Sequence, residues 1–268
     1  MSTNTQARPA FGTVLADQMA IATYRNGQWG QHEIRPTGPI EIHPAAHVLH
    51  YASECFEGFK AYRWADGSIH VFRMDKHIER MRQSARLLVL PEPDAKQLAT
   101  MVLTVIDRVR DQVPEPPGAL YMRPMLYGTM PNIGAASAPS NEATLIVPAS
   151  PVWDYFTAGP KPLRIYVEDQ KHRTADHLGM VKTGGNYAAA IKQAEKVAKT
   201  AKGDQLVQAH LAAAYVQSSL WQKALPIANK LLEDSPANSP ERARAYNLLL
   251  AINAALWKRD DSGSSFTR

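Results

Sequence analysis

The chain has 268 residues, 45% of them apolar, a formal net charge of +5 and one cysteine, Cys55. That is enough apolar material for a sizeable core and more than one folding unit, while the lone cysteine excludes an intramolecular disulfide and the absence of zinc-type Cys/His spacing points to a metal-free protein. Basic residues scattered among acids argue against a nucleic-acid partner. Polar residues 1–9, and the lack of any run near the ~18 unbroken apolar residues of a membrane span, point to a cytoplasmic chain, neither secreted nor membrane-inserted.

Over residues 19–34, two short runs of branched and aromatic residues flank Asn26-Gly27, a pair that supplies positive φ to a tight hairpin. Residues 50–63 and 68–72 read as two further strands joined by the turn Asp66-Gly67. Asp75 is expected to cap a helix in which Ile78, Met81, Ala85 and Leu88 recur at three and four, ended by Pro91-Glu92-Pro93. A second helix starts near Asp94 and places Leu98, Met101, Val102, Val105, Ile106 and Val109 on one stripe. Strands follow over residues 119–127, 143–148 and 163–168. Alternation puts Tyr121 and Arg123 on one face of the first of these, and Leu120 and Met122 on the other.

Lys182 sits in Gly179-Met180-Val181-Lys182-Thr183-Gly184-Gly185-Asn186-Tyr187, a glycine-rich turn leading into an alanine-rich helical stretch over residues 188–201. An amine on such a turn, with a phenol five positions on, is the arrangement needed to carry an aldehyde cofactor as a Schiff base. Beyond Lys202-Gly203-Asp204 the pattern is all helix, over residues 205–217, 221–233 and 240–257. Leu211, Tyr215, Trp221, Ala224 and Pro236 fall at the offsets of the roughly 34-residue tetratricopeptide repeat. A single repeat plus a capping helix cannot bury its own apolar face, for which about three repeats are needed, so it must pack on the preceding domain or on a protein partner.

Several segments, taken in order, resemble the branched-chain amino-acid aminotransferases, pyridoxal-phosphate enzymes of fold type IV. They are Phe11-Gly12 with Asp17-Gln18-Met19, Leu49-His50-Tyr51, Phe56-Glu57-Gly58-Phe59-Lys60-Ala61-Tyr62, Phe72-Arg73 with Arg80-Met81, Leu120-Tyr121-Met122-Arg123-Pro124, Pro151-Val152 with Tyr155-Phe156, and Lys182-Thr183-Gly184-Gly185-Asn186-Tyr187. Colinear matches over roughly 190 residues are more specific than any one motif. The resemblance implies transamination between leucine, isoleucine or valine and 2-oxoglutarate by a ping-pong route, with pyridoxal 5'-phosphate as cofactor, in a homodimer. It implies Lys182 as the catalytic amine, Arg80 as the ligand of the cofactor phosphate and Tyr187 as a donor to the cofactor's ring oxygen. Arg123 and Tyr121 would stand at the substrate's carboxylate end, with Phe11, Tyr51, Phe56 and Tyr155 as an aromatic wall for the branched side chain. Taken singly, the same residues read otherwise: Lys182 as a solvated loop lysine, Arg80 as a surface arginine pairing with Glu79 or Asp75, and Phe56 as core.

The expected fold class is α/β. An α+β domain over residues 10–158, with a mostly antiparallel sheet and two helices, precedes part of a second domain, residues 159–200, that holds Lys182. An all-helical tetratricopeptide-like hairpin over residues 205–258 follows, and the tails 1–9 and 259–268 are expected to be disordered. The resemblance ends near residue 200, where relatives continue with an acid that pairs with the pyridine nitrogen; Glu233 and Glu241 lie on helices with no reason to reach it. Three outcomes stand open. The chain is an aminotransferase crippled by loss of its C-terminal half, a working one completed by another chain, or a non-catalytic relic or fusion serving as a tetratricopeptide-type interaction module.

Overall fold

The computed structural model describes residues 9–134, 138–153, 174–188, 195, 198–199 and 203–260. The strand expected over residues 163–168, most of the helical stretch 188–201, and the tails 1–8 and 261–268 lie outside the described residues. The chain divides into two compact units, residues 1–165 with 174–186, and residues 166–173 with 187–268.

In the first unit, β1 (Gln18–Arg25) turns through Asn26 and Gly27, at φ 52° and 82°, into β2 (Gln28–Trp29) and then β3 (Glu33–Pro36). Both return segments pair antiparallel with β1. Positive φ at both central residues matches the twist of the flanking strands, and Asn-Gly reaches it with least strain.

Two stretches expected to be continuous strands are broken. Residues 50–63 begin in a short helix, α1 (His47–Tyr51), and then form β4 (Glu54–Phe56) and β5 (Phe59–Arg63). After β6 (Ile69–Val71), the stretch 119–127 splits at Arg123-Pro124 into β7 (Ala119–Met122) and β8 (Met125–Gly128). β9 (Ala143–Val147) leads through Pro148 into β10 (Ala149–Val152), a strand that the sequence pattern does not separate.

One sheet runs β2-β1-β9-β8-β4, with β3 also on β1, and the other runs β10-β7-β5-β6. Every strand pairing among the described residues is antiparallel. The chain therefore crosses between sheets three times, near Gly58, Pro124 and Pro148. Proline cannot donate to a ladder and glycine packs no side chain, so these are the points where a strand most readily bends away. The crossings are bonded to one another: Glu57 N–H donates to the Pro124 carbonyl (2.8 Å), and Arg123 N–H to the Pro148 carbonyl (3.0 Å). This seam is where the residues of interest collect.

Helices α2 (Met74–Leu87) and α3 (Ala95–Arg108) share one core with the sheets. Met81 and Ala85 of α2, and Leu98, Met101, Val102 and Val105 of α3, are buried with Ala20, Ala22, Leu120, Met122, Leu126 and Leu145. The cap expected of Asp75 is absent. Arg73 holds the N-cap position at φ 52° with no side-chain cap, and Asp75 lies inside the first turn, where its charge still suits the helix dipole. Asp94 does cap α3, its carboxylate accepting the Gln97 N–H at 2.7 Å. Asp94→Ala is expected to cost about 1 kcal/mol, read as a lower urea midpoint at unchanged slope.

The second unit contains α4 (Gln205–Gln217), α5 (Trp221–Asp234) and α6 (Pro240–Asp260). Leu211, Tyr215, Ala224, Ala228, Leu231, Ala245 and Ile252 are buried among them. No helix among the described residues is long and apolar enough to cross a membrane.

Candidate functional site

Four segments of the first unit meet at the seam: the end of β4, the Arg123 crossing, the middle of α2 and the turn that carries Lys182. The turn is held at three points. Lys182 N–H donates to Ser84 Oγ on α2 (3.1 Å), and its carbonyl accepts the Phe56 N–H (3.0 Å). The Glu54 carboxylate accepts from Gly184 N–H and from Thr183 Oγ1, the latter at 3.2 Å. A Cβ at position 184 would come within 2.5 Å of Glu54 Oε1, so a side chain there would force this clamp open. Ser84 lies one helical turn past Arg80 on the same face of α2, which docks the lysine's backbone one turn from the arginine's.

Phe56 joins the cations. Lys182 Nζ stands 4.7 Å from its ring centre and Arg123 Cζ 4.5 Å. Arg123 also lies 5.2 Å from the Tyr121 ring and donates through Nη2 to the Tyr121 hydroxyl (2.8 Å), while Phe11 packs edge-on against Tyr121 at 4.9 Å. Gly58 makes room for that phenol: a Cβ there would fall 2.0 Å from the hydroxyl oxygen. Aromatic faces attract a cation without neutralising it. Arg123 Nε is buried and has no hydrogen-bond partner among the described residues. Such an orphaned donor is rare in folded proteins, because leaving it unpaired costs about 1–3 kcal/mol, and it marks a place for an acceptor.

Arg80 pairs with neither Glu79 nor Asp75. Its Nε and Nη2 form a fork on Glu57 (2.5 and 2.7 Å), and His77 Nδ1 lies 2.9 Å from the same carboxylate. Glu79 is bonded instead to Lys76, at 2.9 Å. Glu57 is only 1% exposed and Arg80 49%, so a buried anion holds a half-exposed cation in one plane. Cys55 lies between Glu54 and Glu57 in sequence but belongs to the core. Burial, reinforced by those two carboxylates, pushes its thiol up to about 12, so it stays protonated and is no nucleophile.

Of the residues expected at the site, Lys182, Phe56, Arg123, Tyr121 and Phe11 form one chain of contacts, and Arg80 is joined to it through α2 and β4. Tyr51 closes α1, its ring against His47 (4.7 Å) and its hydroxyl donating to the Ile133 carbonyl. Tyr187 belongs to the second unit, where it is exposed, and Tyr155 lies outside the described residues. Sequence reasoning assigned no role to Glu54, Glu57 or Ser84. Glu57 carried a signal, an acid inside the largely apolar run that opens at Phe56. Ser84 and Glu54 carried none, since the groups that they hold are 98 and 130 residues away along the chain. Among the described residues, no three or more His, Cys, Asp or Glu side chains are grouped to hold a metal ion.

The family amino-transferase class IV matches residues 54–214, more than half of the chain, and the match ends inside α4, beyond the point where the motifs cease. Branched-chain-amino-acid aminotransferase 5 (chloroplastic) of Arabidopsis thaliana is 42% identical over 196 residues, 72% of this chain and 46% of that protein. The branched-chain-amino-acid aminotransferase of Mycobacterium tuberculosis is 43% identical over 189 residues, 68% of this chain and 50% of that protein. The chain spans about half the length of these curated relatives. Among solved structures, the branched-chain aminotransferase of Thermoproteus uzoniensis with norvaline shares the fold, at TM-score 0.51 and 24% identity over 67% of this chain and 56% of that one. Because the family match takes in both β4 and the Lys182 turn, the two segments that the fold clamps together, the chain belongs to the class IV aminotransferases.

Proposed function

We propose that this chain is a pyridoxal 5'-phosphate-dependent aminotransferase of branched-chain amino acids and 2-oxoglutarate, acting as a homodimer in the cytoplasm. The observation that carries the proposal is the Phe56 ring shared by Lys182 Nζ and the Arg123 guanidinium, at 4.7 and 4.5 Å, beside an Arg80 fixed one turn from where Lys182 docks. The donor set suits cofactor and substrate together: a primary amine for the cofactor's aldehyde, a permanently charged planar fork for its phosphate, and an orphaned Nε for the substrate's carboxylate. When bound, pyridoxal phosphate supplies an electron sink for negative charge at the substrate Cα.

Lys182 is the residue that would hold the cofactor through its aldehyde, and its amine would move the proton at the substrate Cα. Its backbone is pinned at Ser84 and Phe56, and the two residues after it at Glu54, so the amine would reach the reacting atom through its own side-chain torsions. Arg123 would receive the substrate carboxylate. Phe56, Tyr121 and Phe11 would exclude water and accept the side chain of leucine, isoleucine or valine. Tyr187 as donor to the cofactor's ring oxygen, and Tyr51 and Tyr155 as further parts of the wall, are proposed on the resemblance alone.

Purified protein supplied with pyridoxal phosphate, leucine and 2-oxoglutarate is expected to form glutamate, with isoleucine and valine also accepted. Cofactor-loaded protein that forms glutamate from none of the three would overturn the substrate assignment. Glutamate formed only after a second aminotransferase chain is added would place the rest of the site in trans.

The second unit supports a separate reading, a tetratricopeptide-type module built on α4 to α6. What favours it is a cavity of about 940 Å³ lined by Leu211, Tyr215, Ile227 and Leu231 together with Lys199, Lys230 and Asp234, a mixture suited to an extended peptide. Lys230→Glu in the full chain should remove a bound protein partner and leave glutamate formation unchanged. Loss of both would deny the unit a function of its own.

A further inference from the structure

We infer that Glu57 is a positioning residue for the cofactor's phosphate: it fixes the Arg80 guanidinium in the plane that receives the anion. The inference rests on the cofactor reading above and assigns a task to a buried acid that the chemistry of Lys182 and Arg123 does not use. A carboxylate at 1% exposure is costly unless every oxygen is paired, and here both are. Oε1 accepts Arg80 Nε, and Oε2 accepts Arg80 Nη2 while lying 2.9 Å from His77 Nδ1 and 3.3 Å from the Gly58 amide nitrogen.

The anchor is rigid where the arginine is not. Glu57 stands at a sheet crossing, its N–H bonded to the Pro124 carbonyl at 2.8 Å, directly after Phe56. His77, which steadies the carboxylate from the other side, is stacked on Phe59 of β5 at 4.8 Å. Arg80 brings a long, rotamer-rich side chain from a helix face and is 49% exposed, and the two-point fork on Glu57 restricts its guanidinium. Holding a phosphate-binding fork in place before the ligand arrives removes an ordering cost from binding.

The test compares pyridoxal 5'-phosphate with pyridoxal, the same aldehyde without the phosphate, in the full chain, reading apparent affinity from the borohydride-trapped adduct at Lys182. Glu57→Gln is expected to lower the preference for the phosphorylated aldehyde by about tenfold, the size of one weakened charge-assisted hydrogen bond, while pyridoxal affinity stays within about twofold. Arg80→Gln should lose the preference alone, and adding Glu57→Gln to it should change nothing more. Equal loss of both aldehydes, or a preference that is unchanged or raised, would overturn the inference and leave the cofactor reading standing. Where Glu57→Gln does not fold, Glu57→Asp decides the matter: it keeps the charge but draws the fork back by one methylene, and it too must lower the preference. No adduct with either aldehyde in the unaltered chain would defeat the cofactor reading, and this inference with it.

Discussion

Lys182→Ala is expected to abolish covalent cofactor retention and to lower amino transfer by at least ~10³-fold, because one side chain both holds the aldehyde and moves the proton. The substitution is well suited to isolate chemistry from folding. Among the described residues, the hydrogen bonds that dock residue 182, N–H to Ser84 Oγ and carbonyl to Phe56 N–H, are made by its backbone and survive in alanine. Glu54 grips Thr183 and Gly184, which are untouched. Stability to urea should therefore change by less than about 1 kcal/mol. Lys182→Arg is the stricter control, since it keeps a cation beside Phe56 but offers no amine able to form the covalent link. Glutamate formation near the original rate in either variant would remove Lys182 from its role.

Met122→Ala is expected to destabilise the first unit by about 2–5 kcal/mol, a large share of the ~5–15 kcal/mol that holds a domain folded. Met122 is fully buried on β7, opposite Phe59 on one side and Ala149 on the other, and it immediately precedes the Arg123 crossing. Truncation opens a cavity at the point where the core supports the seam. The neighbouring Tyr121→Phe keeps the ring and removes only the hydroxyl that accepts from Arg123, so its effect on stability should stay within about 1.5 kcal/mol. Urea midpoints for the two variants check this directly. Equal losses would mean that the two faces of β7 do not divide the work between core and site.

Much of the helical structure is legible in the sequence. All six stripe positions expected on α3 are buried, because a 3.6-residue period needs no knowledge of what packs against it. The turn at Asn26-Gly27 is equally local. The strand breaks are not: an apolar run reads as continuous whether or not the chain leaves its sheet partway, and only the neighbouring strands decide that. Arg80 shows the same limit at the site. Local rules offered Glu79 and Asp75 as partners, but a buried carboxylate 23 residues back on the chain has the greater need of a cation. The cap expected of Asp75 failed because the chain enters α2 through the positive φ of Arg73, two residues earlier. The motif around Lys182 could be read directly, whereas its clamps at Glu54 and Ser84 emerge only from the folded chain.

Borohydride reduction of the purified chain after incubation with pyridoxal 5'-phosphate, followed by digestion and mapping of the modified peptide, goes straight to the covalent link. The expected result is one phosphopyridoxyl group, on Lys182, whose yield at limiting cofactor falls when Arg80 is replaced by alanine. Label spread over exposed lysines such as Lys76 and Lys223, with none on Lys182, would contradict it.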